Sequence, residues 1–195
     1  MKNLKVYEQP SFYRFSEDSL RLAKKASEYL KSIGSMETPK VLDAFSGCGV
    51  VGLELSRELK RPLEITFLEK NLKYAPYLYK NIWGHKGLKD KKSKVLFRDF
   101  FQYQDEMKFD VIIMNPPYYP EGHFRESPNN SRNLCRTLKE WSFEDLLKKA
   151  QFLLRPKGMI FFSCKKQNLN QLSSFKLEVL EEFSDVLICV NLKEN

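Results

Sequence analysis

The chain has 195 residues, of which 42% are hydrophobic, 13% aromatic and 30% charged. This composition excludes collagen-like and low-complexity polymers and predicts a single folded domain. The 33 Lys and Arg against 25 Asp and Glu give a net charge of +8, which favours a polyanionic partner such as nucleic acid. No run of 18 apolar residues exists and the first eight residues lack a signal-peptide core, so we expect a soluble, cytoplasmic protein with no membrane partner. The four cysteines lack the spacing of a zinc site, so we expect no metal.

The hydrophobic pattern predicts alternating helices and strands. Apolar residues recur every three or four positions from Ser16 to Ile33, which is typical of an amphipathic helix. Helical patterns follow at Val50–Leu59, Leu72–Trp83 and Phe143–Leu154, the last with Ser142 and Asp145 in capping-box positions. Short apolar runs predict strands at Lys40–Phe45, Glu64–Leu68, Lys94–Phe97, Phe109–Met114 and Met159–Ser163. Two further runs, Lys176–Glu182 and Val186–Asn191, predict a terminal hairpin.

This order of elements predicts an α/β fold. Strands that alternate with helices favour a parallel sheet covered by helices on both faces. The hairpin adds an antiparallel pair at the edge. We therefore predict a Rossmann-like, seven-stranded, mostly parallel sheet with a C-terminal antiparallel hairpin.

A glycine-rich turn follows the first predicted strand, from Asp43 to Gly52. Gly47 and Gly49 allow close approach of a ligand to the backbone, and the following helix offers N–H groups to an anion. The Gly-x-Gly-x-x-Gly pattern also fits nicotinamide or flavin dinucleotides, so the glycines alone do not identify the ligand. Asp43 would repel a pyrophosphate but suits a ligand with an ammonium and a sulfonium group, which favours S-adenosylmethionine.

Acidic residues stand at the ends of the next two predicted strands. Glu69 lies 20 residues beyond Gly49, where an acid in such folds accepts hydrogen bonds from ribose hydroxyls. Asp99, followed by Phe100, ends the third strand, and its carboxylate could accept from an adenine amino group. These residues are predicted cofactor contacts.

The fourth predicted strand runs directly into Asn115-Pro116-Pro117-Tyr118. Each proline restricts its own backbone and the residue before it, so Asn115 and Pro116 are held rigid. The Asn115 side-chain oxygen and the Pro116 carbonyl could then accept both hydrogens of a planar amino group and direct its lone pair toward a methyl donor. Tyr118 could stack on the ring that carries this amine.

The order of Asp43–Gly49, Glu69, Asp99 and the Asn-Pro-Pro-Tyr tetrapeptide resembles class I methyltransferases that act on exocyclic or amide nitrogens. A more particular resemblance is to bacterial enzymes that methylate the adenine beside the anticodon of a valine tRNA, and it lies in Gln9-Pro10, residues 13–18 and Ser127-Pro128-Asn129. The resemblance implies that Phe15, Ser16 and Asp18 cover the cofactor. It divides the chain into an N-terminal helical, cofactor-covering segment (1–39) and a methyltransferase domain (40–195).

The predicted activity is therefore transfer of a methyl group from S-adenosylmethionine to the exocyclic amine of adenine in RNA, with tRNA favoured. The predicted polynucleotide contacts are aromatic or basic residues: Tyr118, Tyr119, Lys86, Lys89, Lys91, Lys92, Arg125 and Arg132. Alternatives are a release-factor glutamine amide or DNA adenine as the acceptor. A nucleic-acid-binding protein without catalysis would need a damaged cofactor turn, and this turn is complete.

Overall fold

A computed structural model describes residues 7–34, 36–85, 93–104, 109–117 and 141–193. The helices are α1 (Glu17–Ser32), α2 (Val50–Leu59), α3 (Ala75–Trp83) and α4 (Phe143–Leu153), with 3₁₀ turns at Leu72–Tyr74 and Lys166–Leu172. The strands are β1 (Lys40–Ala44), β2 (Glu64–Glu69), β3 (Lys94–Phe97), β4 (Phe109–Met114), β5 (Leu154–Lys165), β6 (Leu177–Phe183) and β7 (Val186–Leu192). No helix in these ranges is both long and apolar enough to cross a bilayer.

Seven strands of the described residues form one sheet in the order β3-β2-β1-β4-β5-β7-β6. β1 to β5 pair in parallel, whereas β7 pairs antiparallel with both β5 and β6. The predicted fold and terminal hairpin are confirmed. The strand order reverses between β1 and β4, and ligands of such sheets bind at the carboxyl ends of the strands beside this reversal.

Alternate residues of the central strands supply two apolar cores, one on each face of the sheet. Val41, Ile113 and Phe161 belong to the core that also holds α1, α2 and α3. Leu42 and Ile112 belong to the core that packs against α4. Because both faces are covered, the central strands are mostly apolar, and most of their polar residues lie near the strand ends.

Local sequence explains where the elements begin and end. The predicted capping box of α4 is present, because Ser142 and Asp145 exchange side-chain to backbone hydrogen bonds. The prediction of a helix from Leu72 was wrong at its start: a 3₁₀ turn precedes α3, which begins at Ala75 with Pro76 in its first turn. Proline is tolerated there because the first N–H groups of a helix have no partner within the helix. β5 is longer than predicted, because β4 also pairs with Leu154 and β7 pairs with β5 as far as Lys165.

Candidate active site

A cavity of about 620 Å³ opens at the carboxyl ends of the parallel strands. Its walls include residues that follow β1, β2, β3 and β4, together with the segment before α1. Its volume lies within the range typical of cofactor and small-ligand pockets. The sheet therefore brings the predicted glycine turn, the acidic strand ends and Asn115 to one place.

The glycine turn forms part of the cavity wall through Gly47. Gly47 and Gly49 have φ values of +54° and +83°, which glycine adopts without strain. A Cβ on Gly49 would lie 2.7 Å from the Leu78 side chain. Gly49 is not on the cavity surface, so its evident role is to let the turn pack closely against α3, and its contact with a ligand stays a prediction.

Asp43 is buried behind the turn and is not on the cavity surface. Its Oδ2 accepts a hydrogen bond of 2.9 Å from the Gly52 N–H in α2. Its Oδ1 has no hydrogen-bond partner among the described residues. Burial raises the pKa of Asp43 to about 7, the Gly52 N–H opposes that rise, and the charge of Glu69 adds to it. Asp43 thus holds the start of α2, and its effect on a bound cation stays a prediction.

Glu69 lines the cavity and joins two loops. Its Oε2 accepts from the Gly47 N–H at 2.8 Å, and its Oε1 accepts from the Asn71 N–H at 2.7 Å. Burial raises the pKa of Glu69, and these N–H groups oppose the rise. Each carboxylate oxygen can accept more than one hydrogen bond, so Glu69 can hold the turn and still receive hydroxyl groups of a ligand.

Asp99 and Phe100, the predicted cofactor contacts after β3, also line the cavity. Asp99 accepts from the Phe101 N–H at 2.8 Å and forms an ion pair of 2.5 Å with Lys70. Burial raises the pKa of Asp99, but Lys70 and the Phe101 N–H outweigh it and leave the pKa below its usual value. Asp99 is therefore a charged acceptor held at the rim.

Asn115 lies at the end of β4, in the wall of the cavity. Its Nδ2 donates to Ser19 Oγ at 2.8 Å, and the Ser163 hydroxyl donates to its Oδ1 at 2.6 Å. Its carboxamide is thus held between α1 and β5. Pro116 is buried and Pro117 lines the cavity.

The segment before α1 borders the cavity through Tyr13, Phe15 and Ser16. The Asn81 side chain anchors this segment, since it bonds to both the N–H and the carbonyl of Glu8, at 2.9 and 2.8 Å. The same side chain donates to the carbonyl of Cys48 in the glycine turn at 2.9 Å. The predicted covering segment is therefore fixed to the turn that it borders. The division of the chain at residue 39 stays a prediction.

Sequence reasoning missed several residues of the cavity wall, among them Ser19, Ser46, Asn71 and Trp141. Trp141 stacks on Phe101, with ring centroids 4.2 Å apart and planes 12° apart. Asn71 lies two positions after Glu69 in the sequence, and this proximity could have indicated that Asn71 also reaches the cavity. Trp141 and Ser19 gave none, because only the fold brings them to the cavity.

The predicted polynucleotide contacts lie outside the described residues. This holds for both tyrosines of the tetrapeptide region, for the four lysines and for the two arginines: Tyr118, Tyr119, Lys86, Lys89, Lys91, Lys92, Arg125 and Arg132. Their roles stay predictions.

Curated proteins with similar sequences include bacterial enzymes named tRNA1(Val) (adenine(37)-N6)-methyltransferase. The protein of Bacteroides thetaiotaomicron is 32% identical over 119 residues, which are 61% of this chain and 48% of that protein. The protein of Glaesserella parasuis is 30% identical over 138 residues, which are 67% and 54% of the two chains. The chain thus spans about half the length of these relatives.

Solved structures of methyltransferases share the fold. A Listeria monocytogenes protein assigned to the class I S-adenosylmethionine-dependent methyltransferases aligns with 96% of this chain and 63% of its own, at a TM-score of 0.68 and 13% identity. Precorrin-6Y C5,15-methyltransferase of Geobacter metallireducens aligns with 97% of this chain and 94% of its own, at a TM-score of 0.60 and 11% identity.

A family model described as "Conserved hypothetical protein 95" matches residues 24–183. Since this match covers most of the chain, the protein belongs to the family Conserved hypothetical protein 95.

Proposed function

We propose that the protein transfers a methyl group from S-adenosylmethionine to the exocyclic amine of an adenine in RNA, with tRNA as the favoured polymer. The observation that carries this proposal is the Asn115 carboxamide, held by two serines in the wall of a cavity that also presents Gly47 and Glu69. A carboxamide in the wall of a cofactor-sized cavity suits recognition of an amine. The same arrangement would have little use in a protein that only binds nucleic acid.

The cavity offers the polar groups that S-adenosylmethionine needs. Two buried polar atoms of its lining residues, Ser46 Oγ and Asn71 Nδ2, have no hydrogen-bond partner among the described residues. Such atoms are costly unless a ligand or water satisfies them. Ser46 lies in the glycine turn, where it suits the ligand's carboxylate, whereas Asn71 and Glu69 lie together and suit the ribose hydroxyls. Asp99 remains the proposed acceptor for the adenine amino group.

When bound, S-adenosylmethionine supplies an electrophilic methyl group. The Asn115 side-chain oxygen, which accepts a hydrogen bond from the Ser163 hydroxyl, is the proposed first acceptor for a hydrogen of the substrate amine. The Pro116 carbonyl is the proposed second acceptor. Holding both hydrogens orients the nitrogen lone pair, which is a positioning effect that needs no general base. Tyr118 is the proposed stacking partner of the base.

RNA is the favoured acceptor for two reasons. The relatives are named for methylation of adenine 37 in a valine tRNA. The net charge of +8 supports a polyanionic partner. The closest rival is the glutamine amide of a protein, which the same carboxamide could orient. DNA adenine is a second rival, because the proposed contacts recognise the amino group of the base, which adenine carries in both DNA and RNA.

Calorimetry tests the cofactor part of the proposal. We expect S-adenosylmethionine to bind and NAD not to bind. Ligand at 100 times its dissociation constant should stabilise the fold by about 2.7 kcal/mol. Binding of NAD with no response to S-adenosylmethionine would refute the assignment.

Competition between acceptors tests the substrate part. The protein is incubated with methyl-labelled S-adenosylmethionine and separate pools of total tRNA, rRNA, DNA and protein, matched in concentration of adenine or glutamine. We expect label in tRNA first. Preferential label in a release factor would replace the RNA proposal with the glutamine alternative, and label in DNA alone would replace it with the DNA alternative.

A further inference from the structure

The Asn81 side chain joins two segments of the chain that meet at the cavity. Asn81 lies in α3 and is buried, with 6% of its surface exposed, but it is not on the cavity surface. Its Oδ1 accepts from the Glu8 N–H at 2.9 Å, and its Nδ2 donates to the Glu8 carbonyl at 2.8 Å and to the Cys48 carbonyl at 2.9 Å. Glu8 belongs to residues 7–16, which precede α1, and Cys48 belongs to the glycine turn. One amide therefore holds both segments.

The direction of each hydrogen bond follows from the partners of Asn81. A backbone N–H only donates and a backbone carbonyl only accepts, so Oδ1 faces the N–H and Nδ2 faces the two carbonyls. Both hydrogens of Nδ2 are used in this way. Aspartate has the shape of asparagine but no donor while it is ionised, and alanine has neither group. Neither residue can therefore replace these contacts.

The two segments that Asn81 joins both form part of the cavity wall. Phe15 and Ser16 border the cavity at the end of residues 7–16, and Cys48 borders it in the glycine turn. A ligand that touches both segments binds more tightly when they are already held in place, because binding then does not have to order them. The link through Asn81 should therefore affect ligand affinity although Asn81 itself is off the cavity surface.

We propose that Asn81 is a positioning residue that couples residues 7–16 to the glycine turn and so sets the affinity of the cavity for S-adenosylmethionine. The identity of the ligand rests on the proposed function, whereas the coupling rests on the contacts. Because Asn81 acts only through the two segments, its loss should weaken cofactor binding without slowing methyl transfer from the bound cofactor. Loss of Asn115 should have the reverse effect.

Asn191 in β7 provides a matched control. It is also a buried asparagine, with 1% of its surface exposed, and it is not on the cavity surface. Its Oδ1 accepts from the Gln151 Nε2 at 2.9 Å, and its Nδ2 donates to the Lys176 carbonyl at 2.9 Å. Asn191 thus joins separate segments through the same chemical groups, but neither Gln151 nor Lys176 borders the cavity.

Calorimetry with S-adenosylhomocysteine, the demethylated cofactor, measures the effect in the full chain. Asn81→Ala and Asn81→Asp should each raise Kd by about tenfold or more, because apparent affinity falls with the fraction of molecules whose binding surface is in place. Asn191→Ala and Asn191→Asp should stay within about twofold of wild type, as expected for a distant site. In the Asn81 variants KM for S-adenosylmethionine should rise with Kd, while kcat at saturating cofactor stays within about twofold of wild type.

Three results of these measurements would overturn the proposal. An unchanged Kd in Asn81 variants whose thermal midpoint falls as far as that of the Asn191 variants would leave Asn81 with a structural role alone. An equal rise of Kd in both pairs of variants would mean that general destabilisation weakens binding. A loss of kcat at saturating cofactor as large as the loss of affinity would mean that Asn81 acts on the chemistry.

Hydrogen exchange followed by mass spectrometry tests the coupling without activity. In the absence of ligand, the amides of residues 7–16 and 45–49 should both exchange faster in Asn81→Ala than in wild type, and Asn191→Ala should leave both stretches unchanged. Faster exchange in one stretch alone, or in neither, overturns the coupling. Faster exchange in both stretches of a protein that binds no S-adenosylmethionine rejects the proposed function and leaves the coupling standing.

The wild-type protein supplies the test if neither Asn81 variant folds. S-adenosylhomocysteine should slow exchange in residues 7–16 and in residues 45–49 over the same range of ligand concentration, because the two stretches are ordered together. Slower exchange in one stretch alone overturns the coupling.

Discussion

The stability of the protein without cofactor should fall as pH rises from 5 to 8, and Asp43 should be a main cause. Its carboxyl group is buried, with one hydrogen bond from Gly52 to Oδ2. Burial raises its pKa from 3.8 to about 7. The unfolded chain therefore releases this proton at a lower pH than the folded chain does. Stability from this group is fully present below about pH 4 and is lost as pH rises through about 7.

The magnitude follows from proton linkage. Within this window each pH unit costs about 1.4 kcal/mol. Between pH 5 and pH 8 Asp43 alone should therefore remove about 3 kcal/mol from the free energy of unfolding. In a domain of this size about 1 kcal/mol corresponds to roughly 2 to 4 °C in the unfolding midpoint. The expected fall from Asp43 is thus roughly 6 to 12 °C. Burial also raises the pKa of Glu69, so the linkage of Glu69 has the same sign.

Thermal unfolding of wild type and Asp43→Asn at pH 5 and pH 8 measures this effect. The asparagine retains an acceptor for the Gly52 N–H but has no proton to release, so most of the fall should disappear. Asp185→Asn is the control and should retain the fall. The Lys165 ammonium lowers the pKa of Asp185, so this carboxyl does not titrate between pH 5 and pH 8 in the folded or the unfolded chain. An Asp43→Asn variant with the same fall as wild type would refute the reasoning.

Three further predictions concern the turn, the chemistry and the substrate. Gly49→Ala should lower the free energy of unfolding by more than about 2 kcal/mol in urea titration, because the positive φ and the clash of the added Cβ with Leu78 act together. Gly34→Ala is the control: Gly34 has a positive φ but open space around it, so this change should cost about 1 kcal/mol. Equal costs would reject the packing argument. Asn115→Ala should lower turnover in a methyl-transfer assay by about two orders of magnitude or more, while the cofactor affinity measured by calorimetry stays nearly unchanged. An equal loss of turnover and of cofactor affinity would make Asn115 a structural residue. Neutralising the four lysines Lys86, Lys89, Lys91 and Lys92 should flatten the slope of log binding constant against log salt concentration for RNA by about 0.7 to 0.9 per lost phosphate contact. An unchanged slope would exclude these lysines as phosphate contacts.

The sequence predicted the sheet well because its signals are local. Alternation of apolar runs and helical patterns fixed the order of elements, and the capping box marked the start of α4. The glycines, Glu69 and Asn115 were identified because each lies at or shortly after the carboxyl end of a strand. Their meeting at one edge follows from parallel strands, whose carboxyl ends share that edge.

What the sequence could not predict depends on packing between distant segments. Ser19 and Ser163 carry no motif, and only the docking of α1 against the sheet brings Ser19 to Asn115. The environment of Asp43 was likewise hidden, because its depth and its bond to Gly52 arise from the path of the turn. The pairing of Lys70 with Asp99 links the ends of two neighbouring strands and follows from their register.

Identification of the methylated atom tests the central claim most directly. Total tRNA lacking prior modification is incubated with the protein and S-adenosylmethionine labelled in the methyl group, then digested to nucleosides and analysed by mass spectrometry, with Asn115→Ala in parallel. The account predicts labelled N6-methyladenosine that depends on Asn115. Label on a ring nitrogen, on a ribose or on cytosine carbon, or N6-methyladenosine formed equally by Asn115→Ala, would contradict it.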